Sequence, residues 1–517
     1  MRSASTAQRR LGSTGLLLIL LLSAACRTWQ LQTASPEAVV SLQPHHVKLT
    51  RRDGSVQHMY APRFHGDSIR GAASAGAYAP RFAVAVSDIR QVAVQRISAG
   101  RTIALVAGAG VTAALIAALI SDPPAAARPP ASGGGAGGYE YYSCPLVYSW
   151  SAGEWRLDSG TFGGAISAGL ARTDVDNLLF ASPVGGVLRF KVANEMDEID
   201  HVDALTVVAV DHAPGTTVAP GPDGTIHSLQ VPSRPLSARD YRGHDALARV
   251  STADGWSWES IPTGRDSIRT EDIRDGLELE FVRPANTAAA RLVIDANVTP
   301  WATYLMARYV EAHGSATRAW YDSLDTRPAY ASAMGRALAS EAFLSVLVLT
   351  DTGWTRQAVT SDAGPEISKR QVVELDVGRV TGPTVRVRLE SAPSFWLVDA
   401  VALDASVEQP VRLQDMLPIS AIAAGRDVRA ILTAIDRSEL VLERGDSAIV
   451  TFAAPPETPG YARSYLLRSH GWYRLNLSDD SPPDLALLRT ARTPRGMSRL
   501  ATERLANAVA ASDERAQ

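Results

Sequence analysis

The sequence predicts a mainly β, multidomain protein with only a few helices. Short runs that alternate apolar and polar residues recur along most of the chain, and Gly, Asp-Gly and Pro turn signals separate them. The 517 residues are enough for about three domains. Hydrophobic residues make up 46% and charged residues 20% of the chain, which is typical of a protein that buries a core. We expect a small β-barrel, an apolar helix, a Gly/Pro linker and then β-sandwich-like domains.

The charge and the content of metal-binding residues exclude several classes of partner. The formal net charge is -3, so charge gives no basis for binding nucleic acid. The 2 cysteines and 10 histidines do not cluster, which argues against a structural zinc site. The sequence therefore predicts no nucleic-acid partner and no cofactor.

Residues 1–25 have the pattern of a lipoprotein signal peptide. Arg9 and Arg10 precede the apolar run 16–22, and the small residues 23–25 lead directly to Cys26. A basic start, a short apolar run and a small-residue exit are typical of a secretory signal. The apolar run is too short to span a bilayer.

Cys26 resembles the lipobox cysteine of bacterial lipoproteins. In that family the cysteine is diacylated and becomes the new N-terminus, so the resemblance implies a fatty-acid anchor, such as palmitate, at Cys26. Arg27 follows it and is not the aspartate that retains members of the family in the inner membrane, which favours the outer membrane. The alternative is an ordinary secretory signal in which Cys26 is incidental.

The segment 39–98 predicts a small β-barrel-like domain. Asp53-Gly54 separates the alternating runs 47–49 and 55–59, which is a strong hairpin signal. Several further short strands follow within about sixty residues and favour a small barrel of Sm-like or SH3-like type. Because the chain is not basic, we expect a structural or contact module rather than an RNA-binding one.

Residues 102–120 form an apolar stretch without charges that predicts a helix. Its part from 103 to 120 has about 18 residues and reaches the lower limit for spanning a bilayer. Its Ala and Gly residues contribute little to membrane insertion. Three interpretations remain: a membrane-associated helix, a helix buried against a partner or a second copy, and a true span. The Pro- and Gly-rich residues 121–138 predict a flexible linker.

The segment 139–285 predicts a β-domain, and its first part carries the most distinctive motifs of the chain. These motifs are Cys144-Pro145, Tyr148-x-Trp150, Gly163-Gly164-Ala165-Ile166, Asn194-Glu195 and Asp211-His212. Together they resemble a family of uncharacterised bacterial envelope lipoproteins that have a small Sm-like β-domain, an apolar helix and a "CPF-Y" β-region. The resemblance covers residues 40–230 and implies a location and an architecture, but no activity.

The segment 194–203 concentrates carboxylates that are candidate metal ligands. The candidates are Glu195, Asp197, Asp200 and Asp203. Calcium takes several oxygen ligands from one tight loop, but this spacing is not that of an EF-hand and no Gly supplies the sharp turn. The alternatives are a solvated connection between two strands and a carboxylate pair of a glycosidase.

The sequence predicts no catalytic residues. Cys144 with His201 or His212 would resemble a thiol nucleophile. Cys144 precedes a proline and aromatic strands rather than a helix start, however, which favours a buried structural cysteine. The chain has no Gly-x-Ser-x-Gly, phosphate-loop or His-Glu-x-x-His motif. We therefore expect a non-enzymatic protein.

The segment 286–410 predicts a β-sandwich with a helical insertion. Thr299-Pro300 is typical of a helix start, and the apolar residues from Trp301 to Tyr309 follow at helical spacing. The later stretch 385–404 resembles the closing strands of galactose-binding-like jelly rolls. Such domains bind sugars or partners through loops at one end.

The segments 411–482 and 483–517 complete the chain. The first predicts a C-terminal β-module, which is similar through Gly445-Asp446 and Gly471-Trp472-Tyr473 to modules of other large bacterial secreted proteins. The second predicts a polar helical tail.

These features lead us to expect a non-enzymatic outer-membrane lipoprotein that acts as an envelope scaffold or binding protein. Its expected partners are the membrane, through the lipid anchor, and an envelope protein or a glycan. The first alternative is a surface glycan hydrolase that uses the carboxylates between Glu195 and Asp203. The second is a calcium-dependent adhesin.

Overall fold

The computed structural model describes residues 27–32, 46–52, 55–65, 67–72, 81–97, 144–255, 257–259, 274–285, 287–361 and 363–504. Strands make up 47% and helices 19% of the structure, so the prediction of a mainly β, multidomain chain with few helices is confirmed. The predicted signal peptide with Cys26, the apolar stretch 102–120 and the linker 121–138 lie outside the described residues.

Among the described helices, none combines the length and the hydropathy needed to cross a membrane. The chain divides into two compact units, Met1–Pro130 and Ala131–Gln517.

The first unit contains one antiparallel six-stranded sheet. Its strands lie in the order β1 (Arg27–Gln32), β6 (Ile89–Ile97), β2 (His46–Arg51), β3 (Val56–His65), β4 (Ser68–Ala72) and β5 (Arg81–Ala85). Alternate residues of β2 and its neighbours form the core, in which Val47, Leu49 and Met59 are completely buried. The sheet begins at Arg27, before the predicted domain start at residue 39.

The second unit contains two β-sandwiches. One sheet of the first sandwich has the order β25 (Arg426–Asp427), β24 (Ser420–Ala423), β27 (Ser447–Ala453), β10 (Val187–Ala193), β7 (Leu146–Ser151) and β8 (Glu154–Gly160). The facing sheet has the order β23 (Arg412–Met416), β11 (Glu198–His212), β28 (Ala462–Leu475) and β9 (Arg172–Leu178), with β26 (Leu440–Leu442) also paired to β11. Apolar side chains from both sheets share one core.

The second sandwich has its own core and its own pair of sheets. The larger sheet has the order β14 (Ser237–Asp240), β16 (Asp275–Val282), β21 (Thr384–Ser391), β18 (Ser345–Thr350) and β19 (Gly353–Val359). The smaller sheet has the order β15 (Trp258–Glu259), β22 (Trp396–Asp404), β17 (Ala289–Val298) and β20 (Lys369–Asp376). Both contribute to one apolar cluster that includes the fully buried Trp396.

The second sandwich is inserted in the sequence of the first. Strand β10 pairs with β27 and β11 pairs with β28, so residues before and after the insertion complete the same two sheets. The predicted boundary at 285/286 falls between β16 and β17, inside the second sandwich, and the predicted modules 139–285 and 411–482 share both sheets of the first. The difference arises because alternation identifies a strand but carries no information about its distant partner.

The helices are short and mostly lie between strands. They are α1 (Leu247–Val250), α2 (Pro300–Glu311), α3 (Thr317–Thr326), α4 (Pro328–Glu341) and α5 (Leu485–Ala491). The predicted start of α2 is confirmed, because the Thr299 side chain accepts a hydrogen bond from the Ala302 backbone N–H. Trp301 packs in the core of the second sandwich and Tyr309 in that of the first, so α2 joins the two cores. In the predicted tail, residues 496–504 are also helical.

A two-stranded hairpin, β12 (Thr217–Pro220) and β13 (Ile226–Leu229), lies between the sandwiches. Val218 packs with residues on the outer face of the sheet that contains β9, β11 and β28. Ala219 and Leu229 pack with Val293 and Val372 on the outer face of the smaller sheet of the second sandwich. The hairpin therefore gives the two sandwiches a shared apolar contact.

Candidate functional site

The carboxylates Glu195 and Asp197 precede strand β11 and have separate partners. Glu195 accepts a hydrogen bond of 2.7 Å from the Tyr148 hydroxyl and lies 3.9 Å from the Lys191 ammonium group. Asp197 accepts a 2.9 Å hydrogen bond from the Asn476 side-chain amide. These two candidates therefore hold the start of β11 to neighbouring strands.

Asp200 and Asp203 lie within β11 and point into different surroundings. Asp200 is completely buried, whereas Asp203 accepts backbone hydrogen bonds of 3.2 Å from Asp436 and Arg437. A bulge between Val202 and Ala204 changes the alternation of the strand at this point. In the part of the chain that the structure describes, none of the four predicted ligands belongs to a group of three that could hold a metal ion.

Glu198, which sequence reasoning did not single out as a ligand, shares the buried environment of Asp200. Only 2% of Glu198 is exposed, and neither side-chain oxygen of Asp200 has a hydrogen-bond partner among the described residues. Burial raises the pKa of Asp200, and burial together with the nearby Asp200 and Asp197 raises the pKa of Glu198. The pair is an electrostatic feature of the core rather than an accessible site.

The two other groups considered for chemistry are also placed in packed surroundings. Cys144 is buried against Gly160 and Gly364, where a Cβ at Gly364 would lie 2.8 Å from its sulfur. The His201 ring stacks on Trp472 with a centroid distance of 3.7 Å, and both rings form hydrogen bonds with Glu439. Cys144 is therefore packed against the backbone, as expected of a structural cysteine, and His201 is bound to Trp472 and Glu439.

A polar groove of about 630 Å³ lies on the outer face of β14, β16 and β21 in the second sandwich. Four guanidinium groups and five carboxyl groups line it. They are those of Arg239, Arg242, Arg274, Arg388, Asp240, Asp275, Glu278, Glu280 and Glu390. We refer to this cavity as the charged groove.

The alternation of two strands places these charges on one face. In β16, Leu277 and Leu279 are completely buried and Glu278 lies between them on the outer face. In β21 the residues at alternate positions are likewise apolar and charged, and Arg388 is the direct partner of Glu278 across the strands. Opposite charges at such a cross-strand position stabilise the sheet.

The Arg388 guanidinium group connects the charged groove to an aromatic side chain. It forms hydrogen bonds of 3.1 and 3.2 Å with Glu278. It also lies 3.9 Å from the ring centroid of Trp354 on β19, within the range of a cation–π contact. Arg386 forms a further ion pair with Glu278. Arg388 is therefore held in one orientation on the sheet.

Glu390 is the centre of a second network in the charged groove. It accepts hydrogen bonds of 2.8 Å from the Tyr241 hydroxyl and 3.1 Å from Arg274. Burial opposes ionisation of Glu390, but the Tyr241 hydroxyl and Arg274 outweigh this effect and lower its pKa. Burial and the neighbouring Glu390 raise the pKa of Tyr241. The carboxylate is therefore ionised, and the tyrosine is a neutral hydrogen-bond donor.

The charged groove offers hydrogen-bond donors and acceptors beside an aromatic surface. Guanidinium groups only donate and ionised carboxylates only accept, so a ligand with many hydroxyl groups can use both. Tyr241 is 38% exposed at the edge of the groove and adds an apolar face. The sequence contains a signal for this site, the Arg and Glu alternation in the stretch 385–390, but this alternation by itself predicts only a strand.

Comparisons with known proteins do not assign the chain to a family. No protein-family model matches it, and no curated protein is similar to it. A solved chain described as "The Triple Jelly Roll Fold and Turret Assembly in an Archaeal Virus" aligns over 66% of this chain and 92% of its own length. Its sequence identity is 10% and its TM-score is 0.12, a similarity too low to support any inference about fold or function.

Proposed function

We propose that the protein is a non-enzymatic cell-envelope lipoprotein that binds a glycan in the charged groove of its second sandwich. The observation that carries this proposal is the lining of the groove, in which paired guanidinium and carboxylate groups lie beside the exposed Tyr241. Its volume of about 630 Å³ is within the range of small-molecule binding sites.

The chemistry of the lining favours a neutral, hydroxyl-rich ligand. Each sugar hydroxyl both donates and accepts a hydrogen bond, and the fixed networks around Glu278 and Glu390 place acceptors and donors side by side. The apolar C–H face of a sugar ring can pack against the tyrosine ring. Because carboxylates are at least as numerous as guanidinium groups, the groove lacks the single-sign potential that a polyanion requires.

A glycan array probed with the full-length protein in detergent tests this proposal. We expect binding to neutral oligosaccharides. Replacing Arg388 by Ala removes a charged donor and should weaken that binding about tenfold, since a hydrogen bond to a charged group contributes about 1.5–3 kcal/mol. The matched control is Arg379→Ala, which removes an exposed arginine paired with Asp351 outside the groove. The absence of binding to any neutral glycan, or equal losses in both variants, contradicts the proposal.

The envelope location in this proposal is supported by the sequence at Cys26. A fatty-acylated cysteine in that position would anchor the folded units to the outer membrane. Palmitate labelling of the wild-type protein and of Cys26→Ala tests the anchor. We expect label only in the wild type, and equal labelling contradicts the anchor without affecting the glycan experiment.

The hydrolase and adhesin alternatives depend on the carboxylates between Glu195 and Asp203. Glu195 is bound to Tyr148, Asp200 is buried in the core and Asp203 accepts backbone hydrogen bonds. Because these groups lie in separate environments, no geometric observation favours either alternative, and we base no function on them.

A further inference from the structure

Three side chains with metal-binding atoms converge where the β12–β13 hairpin meets the second sandwich. His227 is on β13, Glu374 is on β20, and Glu408 is in the loop that follows β22. One ligand atom from each lies within 4.8 Å of the others. Only 5% of His227 is exposed, whereas the two glutamates reach the surface. The site is therefore accessible from solvent on the carboxylate side.

The His227 and Glu408 side chains are positioned by a hydrogen-bonded connection. One Glu408 carboxylate oxygen lies 3.2 Å from Nδ1 of His227 and accepts a 3.1 Å hydrogen bond from the Ser228 backbone N–H. The Ser228 hydroxyl donates to the Gln409 carbonyl oxygen over 2.8 Å and accepts from the Gln409 N–H over 2.7 Å. The loop that carries Glu408 is thereby joined to the hairpin that carries His227.

Glu374 reaches the same place from the sheet. It is the cross-strand partner of Arg291, which on its other side is the partner of Asp404. Arg291 lies 3.4 Å from the second oxygen of Glu408 and 3.6 Å from Asp404. Within the described residues, the Glu374 carboxylate has neither a hydrogen bond nor an ion pair, so it is available as a ligand.

Carboxylates outnumber the guanidinium group at this place. Arg291 forms ion pairs with Glu408 and Asp404, and Glu374 is its cross-strand partner, so three acidic residues lie next to one arginine among the described residues. A divalent cation between Glu374 and Glu408 would compensate the excess negative charge. Arg291 would then remain paired with Asp404. It would also orient the second oxygen of Glu408, since residues that bind a metal ligand commonly fix its orientation.

We propose that His227, Glu374 and Glu408 bind a divalent transition-metal ion, with Zn²⁺ as the expected ion. Imidazole nitrogen is a good ligand for zinc and a poor one for calcium or magnesium, and carboxylate oxygens complete a mixed set that zinc accepts. Three protein ligands leave a fourth position for water. Cys and His residues that do not cluster in the sequence argue against a zinc site formed by one segment, whereas these three ligands come from three distant segments.

The proposed ion would join the hairpin to the second sandwich. Leu229 and Ala219 of the hairpin already pack on Val293 and Val372 beside the site, and Val218 packs on the first sandwich. Because the ligands come from both sides of this contact, an ion that binds only the folded chain stabilises it by mass action. The site lies on the smaller sheet of the second sandwich, whereas the charged groove lies on the larger one, so the two proposals are independent.

Calorimetric titration of the chelator-treated, full-length protein with ZnCl₂ tests this inference. We expect saturable binding and a higher Tm in zinc than in EDTA. The variants Glu374→Gln and His227→Gln should each weaken zinc binding by at least about tenfold, in line with the loss of one strong ligand interaction. The matched control is His470→Gln, which removes a histidine bound to Thr173 in the first sandwich and should retain zinc binding.

Glu374→Gln keeps the inference testable if the buried histidine cannot be replaced without loss of folding. Glu374 is exposed and its replacement is nearly isosteric, so its far-ultraviolet circular dichroism should match the wild type. Failure of the wild type to bind zinc, or undiminished binding by folded Glu374→Gln, overturns the inference. Neither result affects glycan binding by the charged groove.

Discussion

The ammonium group of Lys369 lies 3.1 Å from a carboxylate oxygen of Asp174 and joins the second sandwich to the first. Lys369 begins β20, whereas Asp174 and the still closer Asp176, at 2.5 Å, are on β9. All three side chains are nearly buried. Burial opposes ionisation of Asp174, but Arg172 and Lys369 outweigh it and lower its pKa.

Replacement of Lys369 by Met should strongly destabilise the second unit. The methionine fills a similar volume but removes the cation that the buried Asp174 and Asp176 share, and Arg172 remains paired with Asp174 alone. Removing one partner of a buried ion pair lowers the free energy of unfolding by about 3–5 kcal/mol. Urea unfolding measures the change. Arg468→Ala, which breaks an exposed pair with Asp415, is the control and should cost less than about 1 kcal/mol; equal losses would contradict the role of the buried lysine.

Gly471 is required by the close approach of β28 to β11. A Cβ at this position would lie 2.3 Å from the His201 carbonyl oxygen and 2.8 Å from the ring of Phe162. Gly471→Ala should therefore lower the free energy of unfolding by about 3 kcal/mol, measured by denaturant titration. In Gly335→Ala, on helix α4, the nearest atom is 3.7 Å away, so we expect a gain of about 0.5–1 kcal/mol. A tolerated alanine at 471 would show that the two strands can separate.

Much of the fold can be predicted from the alternation of residue types. The alternating runs 385–389 and 395–399 predict strands, because burial of one face imposes a period of two. The first run lies within β21, and the second begins one residue before β22. The pairing of β11 with β28 could not be predicted in this way. Strands pair through backbone hydrogen bonds, which nearly all residue types form alike. The sequence of β11 therefore does not indicate that its partner lies beyond an inserted sandwich.

The candidate site was harder to predict than the fold, for a related reason. The carboxylates of 194–203 are close in sequence, but strand alternation and a bulge direct Asp200 and Asp203 to different surroundings. His227 and Glu374 are far apart in sequence, and the contact of the hairpin with the sheet brings them together. A high density of carboxylates in one stretch of sequence is therefore a weaker indication of a metal site than a tertiary contact that brings distant ligand residues together.

Asp399 should make the stability of the folded protein depend on pH in the mildly acidic range. Burial and the nearby Asp254 and Asp295 raise its pKa to about 6, although it accepts a hydrogen bond from the Gly255 N–H. In the unfolded chain an aspartate has a pKa of about 3.9. Between these values the folded state binds more protons, so the free energy of unfolding falls as pH rises from about 4 to 6.

Asp399→Asn tests this assignment because the amide oxygen can still accept the hydrogen bond from Gly255. In the variant, the free energy of unfolding should decline less between about pH 4 and 6 than in the wild type. The difference in stability between the variant and the wild type should therefore shift in favour of the variant from about pH 4 to pH 7. Urea unfolding across this range provides the measurement, with exposed Asp351→Asn as the control. A pH profile identical to that of the wild type would refute the raised pKa.

The buried pair Glu198 and Asp200 predicts a second and wider dependence on pH. Both carboxyl groups have pKa values raised above those of the unfolded chain, through burial and, for Glu198, through the neighbouring Asp200 as well. The folded state therefore retains protons that the unfolded state has lost, and stability declines as pH rises above about 4. The decline continues until each group ionises in the folded state.

Asp200→Asn should reduce this decline in two ways, which distinguishes it from the change at Asp399. It removes one titrating group, and it removes the negative charge that opposes ionisation of Glu198, whose pKa should fall. The stability of the variant relative to the wild type should increase with pH over the range in which Glu198 and Asp200 of the folded wild type still retain protons that the unfolded chain has lost. The side-chain amide that this replacement introduces would also be buried without a hydrogen-bond partner, which lowers stability equally at every pH. The decisive measurement is therefore the slope of the unfolding free energy against pH, not its value at one pH. A variant with the same slope as the wild type would mean that the two carboxyl groups reach water and ionise normally.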